Sequence, residues 1–79
     1  MHAFILMDVQ PGMERQILSS LKRLDKIKEA YVIFGKNDLI IKVQVETREE
    51  LWSFITKEIR TLDGAKGTLT LIPLHGFKR

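Results

Sequence analysis

The strongest constraint on this chain is a strict alternation near its middle. Leu39, Ile41, Val43 and Val45 place an aliphatic side chain at every second position, with Ile40, Lys42 and Gln44 between them. A period of two marks a strand with one face against a core. A face that apolar needs a cover, and the flanking segments supply it. Residues 14–24 carry Ile17, Leu18, Leu21 and Leu24, and residues 47–62 carry Leu51, Ile55, Ile59 and Leu62. Spacings of three and four predict two amphipathic helices.

The remaining segments complete the order. Residues 3–9 are a continuous apolar run ended by Pro11-Gly12, which reads as a buried strand. Residues 30–34 read as a second strand. The turn Gly35-Lys36-Asn37-Asp38 joins it to the alternating run as a hairpin. Thr47-Arg48-Glu49-Glu50 fits a capping box, and Gly64 is placed for a left-handed helix stop. A last strand is expected at 68–74, with Pro73 near its end and a frayed tail after it. Strand, helix, strand, strand, helix, strand is the ferredoxin-like βαββαβ pattern. The expected fold class is α+β: a four-stranded antiparallel sheet with two helices on one face, ordered fourth, first, third, second. With no repeat or linker, residues 1–79 are expected to form one domain.

Sorting by face puts Ala3, Ile5, Met7 and Val9 under the helices. Phe4, Leu6 and Asp8 go to the open side, and Asp8 could pair there with Lys42. Thr68, Thr70, Ile72 and Leu74 are assigned to the same side. The open face is then expected to show Phe4, Leu6, Ile40, Ile72 and Leu74. A chain of 79 residues buries only about 60–65% of its unfolded surface. With no cysteine, neither a disulfide nor a thiolate metal site can supplement that core. A second copy covering the open face, in a symmetric dimer, is the expected remedy. The competing reading has the faces mis-assigned or the C-terminal tail folded over them.

Chemistry for catalysis is thin. The two histidines, His2 and His75, have no third ligand beside them, and no nucleophile motif accompanies them. No catalytic residue, metal or cofactor is expected. Thirteen Lys and Arg against ten Asp and Glu give a net charge of +3, a weak footprint for nucleic acid. The open face offers Phe4 but none of the paired aromatics an RNA-recognition sheet uses. The cluster Lys22, Arg23, Lys26 and Lys28 reads as a solvated helix end, and Trp52 and Phe54 as core. Neither a membrane span nor a secretory signal is visible, so a cytoplasmic protein is expected. Two places remain for a ligand. The turn of Gly35, Lys36, Asn37 and Asp38 offers backbone N–H groups beside a carboxylate, and Thr68 and Thr70 offer two hydroxyls. Together they hold what a zwitterionic amino acid needs, an anion for its ammonium and donors for its carboxylate.

These motifs carry a resemblance. Gly35-Lys36-Asn37-Asp38 followed by Leu39-Ile40-Ile41, and Leu62-Asp63-Gly64 running into Thr68-Leu69-Thr70, resemble the effector-binding (RAM) domain of the Lrp/AsnC family of feast/famine transcription regulators. The likeness spans about residues 3–74. The chain departs from the family pattern at Phe34, where Thr is common, at Asn37, where an aromatic is common, and at Ala65, where Val is frequent. The resemblance implies dimers formed through the sheets, a ring of dimers, and amino-acid effectors bound between dimers near the Gly-x-x-Asp turn. Family members usually carry a helix-turn-helix before this domain. This sequence starts at the first strand, so it looks like a stand-alone RAM domain without sequence-specific DNA binding of its own. Any role in transcription would then run through co-assembly with full-length Lrp/AsnC-type regulators. The reading carried forward is an amino-acid-sensing oligomeric module and not an enzyme. The alternative is an accessory oligomer that binds no metabolite.

Overall fold

The computed structural model describes residues 1–79. Strand β1 (His2–Val9) is followed by helix α1 (Glu14–Leu21), strands β2 (Ile27–Val32) and β3 (Leu39–Gln44), helix α2 (Arg48–Phe54) and strand β4 (Ala65–Leu71). The four strands form one antiparallel sheet in the order β2-β3-β1-β4, the order expected from the sequence. Both helices bury their apolar stripes against the same sheet face. The core contains Ile5, Met7, Ile41 and Val43 from the central strands, Ile17 and Leu21 from α1, and Leu51 and Phe54 from α2; no polar side chain is buried. No helix is long and apolar enough to cross a membrane.

Local chemistry sets where the helices start and stop. Thr47 Oγ1 accepts from the Glu50 N–H at 3.0 Å, and Glu50 Oε2 accepts in return from the Glu46 N–H at 2.9 Å. Two N–H groups at the start of α2 are thus satisfied by side chains. Beyond Phe54 the helix widens into a π-helical turn, Ile55–Ile59, closed by Arg60 N–H to the Ile55 carbonyl at 2.9 Å. The Thr56 hydroxyl donates to the Trp52 carbonyl at 2.9 Å, a bond of the kind that loosens a helical ladder. The widening has a packing consequence. In a regular α-helix, residues four apart drift by about 40° around the axis. A π turn rotates less per residue, so Leu51, Ile55 and Ile59 all stay buried. Helix α1 ends earlier than its apolar period, because Arg23 and Leu24 N–H groups bond three residues back and tighten the last turn.

Three expectations are corrected. Strand β2 starts before residue 30 and ends at Val32, and β4 starts before residue 68 and ends at Leu71, so both are shifted toward the N-terminus of the expected 30–34 and 68–74. After the turn at Gly64, whose carbonyl accepts from Gln10 N–H, the chain pairs with β1 at once through Ala65 and Val9. The faces of β4 are also reversed. Its register sets Leu71 opposite Phe4 and Leu69 opposite Leu6, on the open side, while Thr70 opposes Ile5 and Thr68 opposes Met7, on the helix side. Ile72 packs against the core cluster, and Leu74 lies past the strand. Ile72 and Leu74 therefore leave the open face, and Leu69 and Leu71 replace them. Lastly, Lys42 sits opposite Phe4 and pairs with Glu29 at 3.4 Å, whereas Asp8 accepts from Asn37 Nδ2 at 3.0 Å. The register puts Asp8 four residues along β1 from Lys42's partner.

Candidate functional site

The hairpin between β2 and β3 is closed by Ile33 N–H to the Asp38 carbonyl at 2.9 Å. Its turn is then fastened to the end of β1 from both sides of one residue. Asp38 N–H donates to the Met7 carbonyl at 3.1 Å, and Asp38 Oδ2 accepts from the Val9 N–H at 2.8 Å. The β1–β4 register shifts between Asp8 and Val9, where a strand leaves backbone groups short of ladder partners. Asp38 supplies that partner with a side chain. Asn37 adds its bond to Asp8. The apex, Gly35 and Lys36, is exposed, while Asn37 and Asp38 are half-buried.

Two details decide what this turn can do. Asp38 Oδ1 accepts no hydrogen bond within the chain, so half of the carboxylate is left without a partner there. Gly35 has no positive φ, and a Cβ built there would meet nothing within 4 Å. The protomer's own packing therefore makes no use of glycine at 35.

Thr68 and Thr70 lie elsewhere. They line a groove between α2 and β4 with Trp52, Ile55 and Arg60, and the turn takes no part in that groove. Phe54 is core as expected, but Trp52 is not: it is 62% exposed. Trp52 follows Leu51 directly, one step off the buried stripe, and that offset was the signal available in the sequence. The guanidinium of Arg60 stacks over its ring, 5.4 Å from the centroid. Arg60 was missed by sequence reasoning because nothing in its neighbourhood marks it as more than a helix-end cation.

The open face carries Phe4, Leu6 and Ile40, all half-buried, beside Leu69 at 55% and Leu71 at 45% exposure. At one margin Tyr31 donates its hydroxyl to Glu29 Oε1 at 2.8 Å, and Lys42 pairs with the other oxygen. The Tyr31 hydrogen bond, followed by Lys42, holds the Glu29 carboxyl below its ordinary range. The same bond pushes the Tyr31 phenol up.

A family model described as the Lrp/AsnC ligand binding domain matches residues 2–79. The HTH-type transcriptional regulator FL11 of Pyrococcus abyssi is 36% identical over 78 residues, covering 99% of this chain and 51% of the relative. The chain thus spans about half the length of the curated relatives it matches. Among solved structures, FFRP-DM1 is 41% identical with a TM-score of 0.88, over 92% of this chain and 97% of that one. The transcriptional regulator NMB0573 of Neisseria meningitidis, solved as a complex with L-Met, shares the fold at 12% identity. Its TM-score is 0.91, over 99% of this chain and 52% of that one.

Proposed function

This chain belongs to the Lrp/AsnC family, whose ligand-binding domain it matches from residue 2 to residue 79, and from that premise we propose that it senses an amino acid as an oligomer and so modulates transcription regulators of the family. Its role in this reading is regulatory, not catalytic. Two copies pair through their open sheet faces, the dimers assemble as a ring, and the effector sits between dimers at the turn of Gly35, Lys36, Asn37 and Asp38. Co-assembly with longer family members through the same sheet face is the proposed route to transcription.

The observation that carries the site is the state of that turn. It is locked to β1 on one side of Asp38, open on the other, and it bears a glycine the protomer does not need. An unpartnered carboxylate oxygen suits an ammonium group, and exposed turn amides suit a carboxylate. A fixed turn also loses little freedom on binding. That an amino acid can be held on this fold is supported by the L-Met complex of the Neisseria regulator, a likeness of fold alone. Thr68 and Thr70 keep a ligand-binding role in this reading, but in the α2–β4 groove.

A thermal-shift screen with the twenty amino acids tests the proposal. At least one, at about 100 times its dissociation constant, should add about 2.7 kcal/mol to stability. No shift with any of them at millimolar concentration would favour the accessory oligomer that binds no metabolite. Asp38→Asn then assigns the site. The amide oxygen can still accept from Val9 N–H, so the fold keeps its fastening, while the anion is lost. Calorimetry should find affinity for the selected amino acid lowered by about 2–5 kcal/mol with the melting temperature nearly unchanged. Equal affinity would remove Asp38 from the site.

A further inference from the structure

We infer that the outer edge of β2, with the groove between it and α1, docks an extended acidic peptide of a partner protein as a fifth strand. The inference stands apart from the amino-acid reading, since this groove shares no residue with the turn of 35–38 or with Thr68 and Thr70.

Strand β2 ends the sheet order, so one of its sides has no neighbouring strand. Ile33 N–H donates to the Asp38 carbonyl across the hairpin, which fixes the parity of the ladder. Tyr31 and Glu29 then bond toward β3, opposite Ile40 and Lys42, while Ala30 and Val32 turn their N–H and C=O groups outward. Such a row of alternating donors and acceptors is what an added strand pairs with. Beside that edge, Leu18 of α1 and Ile27 and Ala30 of β2 line the groove. All three are half-buried and packed against the core, so the groove is an apolar trough.

Charge decides the occupant. Of the cations expected at a solvated helix end, Lys26 pairs with Glu50, but Lys22 and Lys28 line this groove together with Arg15. Arg15 and Lys22 form no side-chain hydrogen bond or ion pair within the chain, and the Lys28 ammonium reaches only the Asp25 carbonyl, at 2.9 Å. The one carboxylate in the lining, Glu29, is engaged by Tyr31 and Lys42. A second copy of this chain would bring the same cations to the same edge, and an edge lysine guards against that pairing. A nucleic-acid backbone would meet the cations, but its oxygens would face the outward carbonyls of Ala30 and Val32 and leave the trough wet. An acidic strand meets the edge, the trough and the cations together. Arg15 and Lys22 stand about two turns apart on α1, ~10 Å. Acids four positions apart on one face of a strand stand ~13 Å apart, and their side chains span the difference. A Glu-x-Ile-x-Glu pattern therefore lays an aliphatic side chain over the trough and an acid toward each cation.

The probe is the amidated peptide Ser-Glu-Thr-Ile-Thr-Glu-Ser with fluorescein at its N-terminus, titrated with the full chain. Its fluorescence anisotropy should rise saturably, half-complete below about 1 mM. The same peptide N-methylated at isoleucine loses the N–H that would pair with Ala30, and should bind about tenfold more weakly or worse. Lysines in place of both glutamates should abolish binding. Arg15→Gln with Lys22→Gln should weaken it about fivefold or more. Both residues are exposed, so that variant should fold, and circular dichroism verifies it. Val32→Pro removes one outward N–H from an edge that tolerates proline, and should weaken binding with the oligomeric state unchanged. The inference is overturned by the absence of a saturable response, by equal binding of the N-methylated or the lysine peptide, by equal binding in the Arg15 and Lys22 double variant, or by displacement with duplex DNA at matching concentration. A smaller assembly in Val32→Pro would also overturn it, by making this edge an interface between copies of this chain.

Discussion

At Gly64 the backbone runs at φ +93°, and a Cβ there would lie 2.8 Å from the Met13 sulfur. Two penalties coincide at one residue. The left-handed conformation disfavours any side chain, and Met13, packed against the core, must move aside. Gly64→Ala should therefore lose about 1–2 kcal/mol from the backbone alone, with a further loss from displacing Met13. Gly12 is the internal control. Its φ is +91°, but nothing lies within 4 Å of its would-be Cβ, so Gly12→Ala should cost less. Urea unfolding of the two variants measures the difference. Equal losses would mean that the Met13 contact carries no weight. Gly64 was legible in the sequence as a helix stop. Its contact with Met13 was not, since it joins residues 51 apart through the tertiary fold. The same limit hid part of what Asp38 does: it was expected to offer its carboxylate to a ligand's ammonium, and one of its oxygens accepts from Val9 N–H on another strand.

At the scale of elements, the start of α2 rests on two side chains. Thr47→Ala should cost about 1 kcal/mol, read by thermal or chemical unfolding, by leaving the Glu50 N–H without its cap. Glu50 gives the same element a pH dependence. The Glu46 N–H, and then Lys26, hold its carboxyl below the ordinary range. A carboxyl depressed in the folded state stabilises above its unfolded pKa, about 4.3, and loses that contribution as pH falls through the folded value. Unfolding curves should therefore separate wild type from Glu50→Gln at neutral pH and bring them together in acid. A constant gap across that window would contradict the assignment. Elements whose pattern is set by one buried face were legible, as Leu39 to Val45 demonstrates. The bounds of the edge strands were not. In β2, Ile27 and Ala30 pack against the core with Lys28 and Glu29 between them, and the pairing register shifts there, which breaks the period of two. Ile33 and Phe34 drew the expected strand downstream, yet the pairing ends at Val32 and Phe34 is fully exposed. In β4, Thr68 and Thr70 were expected on the open side, which left Leu69 and Leu71 to the helix side. The leucines face away from it.

That reversal bears on the whole molecule. Leu69 and Leu71 join Phe4, Leu6 and Ile40 on a sheet face that no helix covers, while threonines occupy the helix side of the same strand. The arrangement makes sense if the bare face is itself an interior. It spans the two central strands and one edge, the kind of apolar face that the proposed dimer would cover. The tail was the other candidate cover, and residues 73–79 are exposed throughout, with Leu74 at 79%. The proposed sensor depends on this assembly, because an effector between dimers needs dimers first. Sedimentation velocity at micromolar concentration, on wild type and Leu6→Asp, tests that claim most directly. Wild type should run as a dimer or larger. Leu6→Asp should run as a folded monomer, since an unpaired charge in the buried centre of the interface costs several kcal/mol. A wild-type chain that sediments as a well-folded monomer would contradict the account.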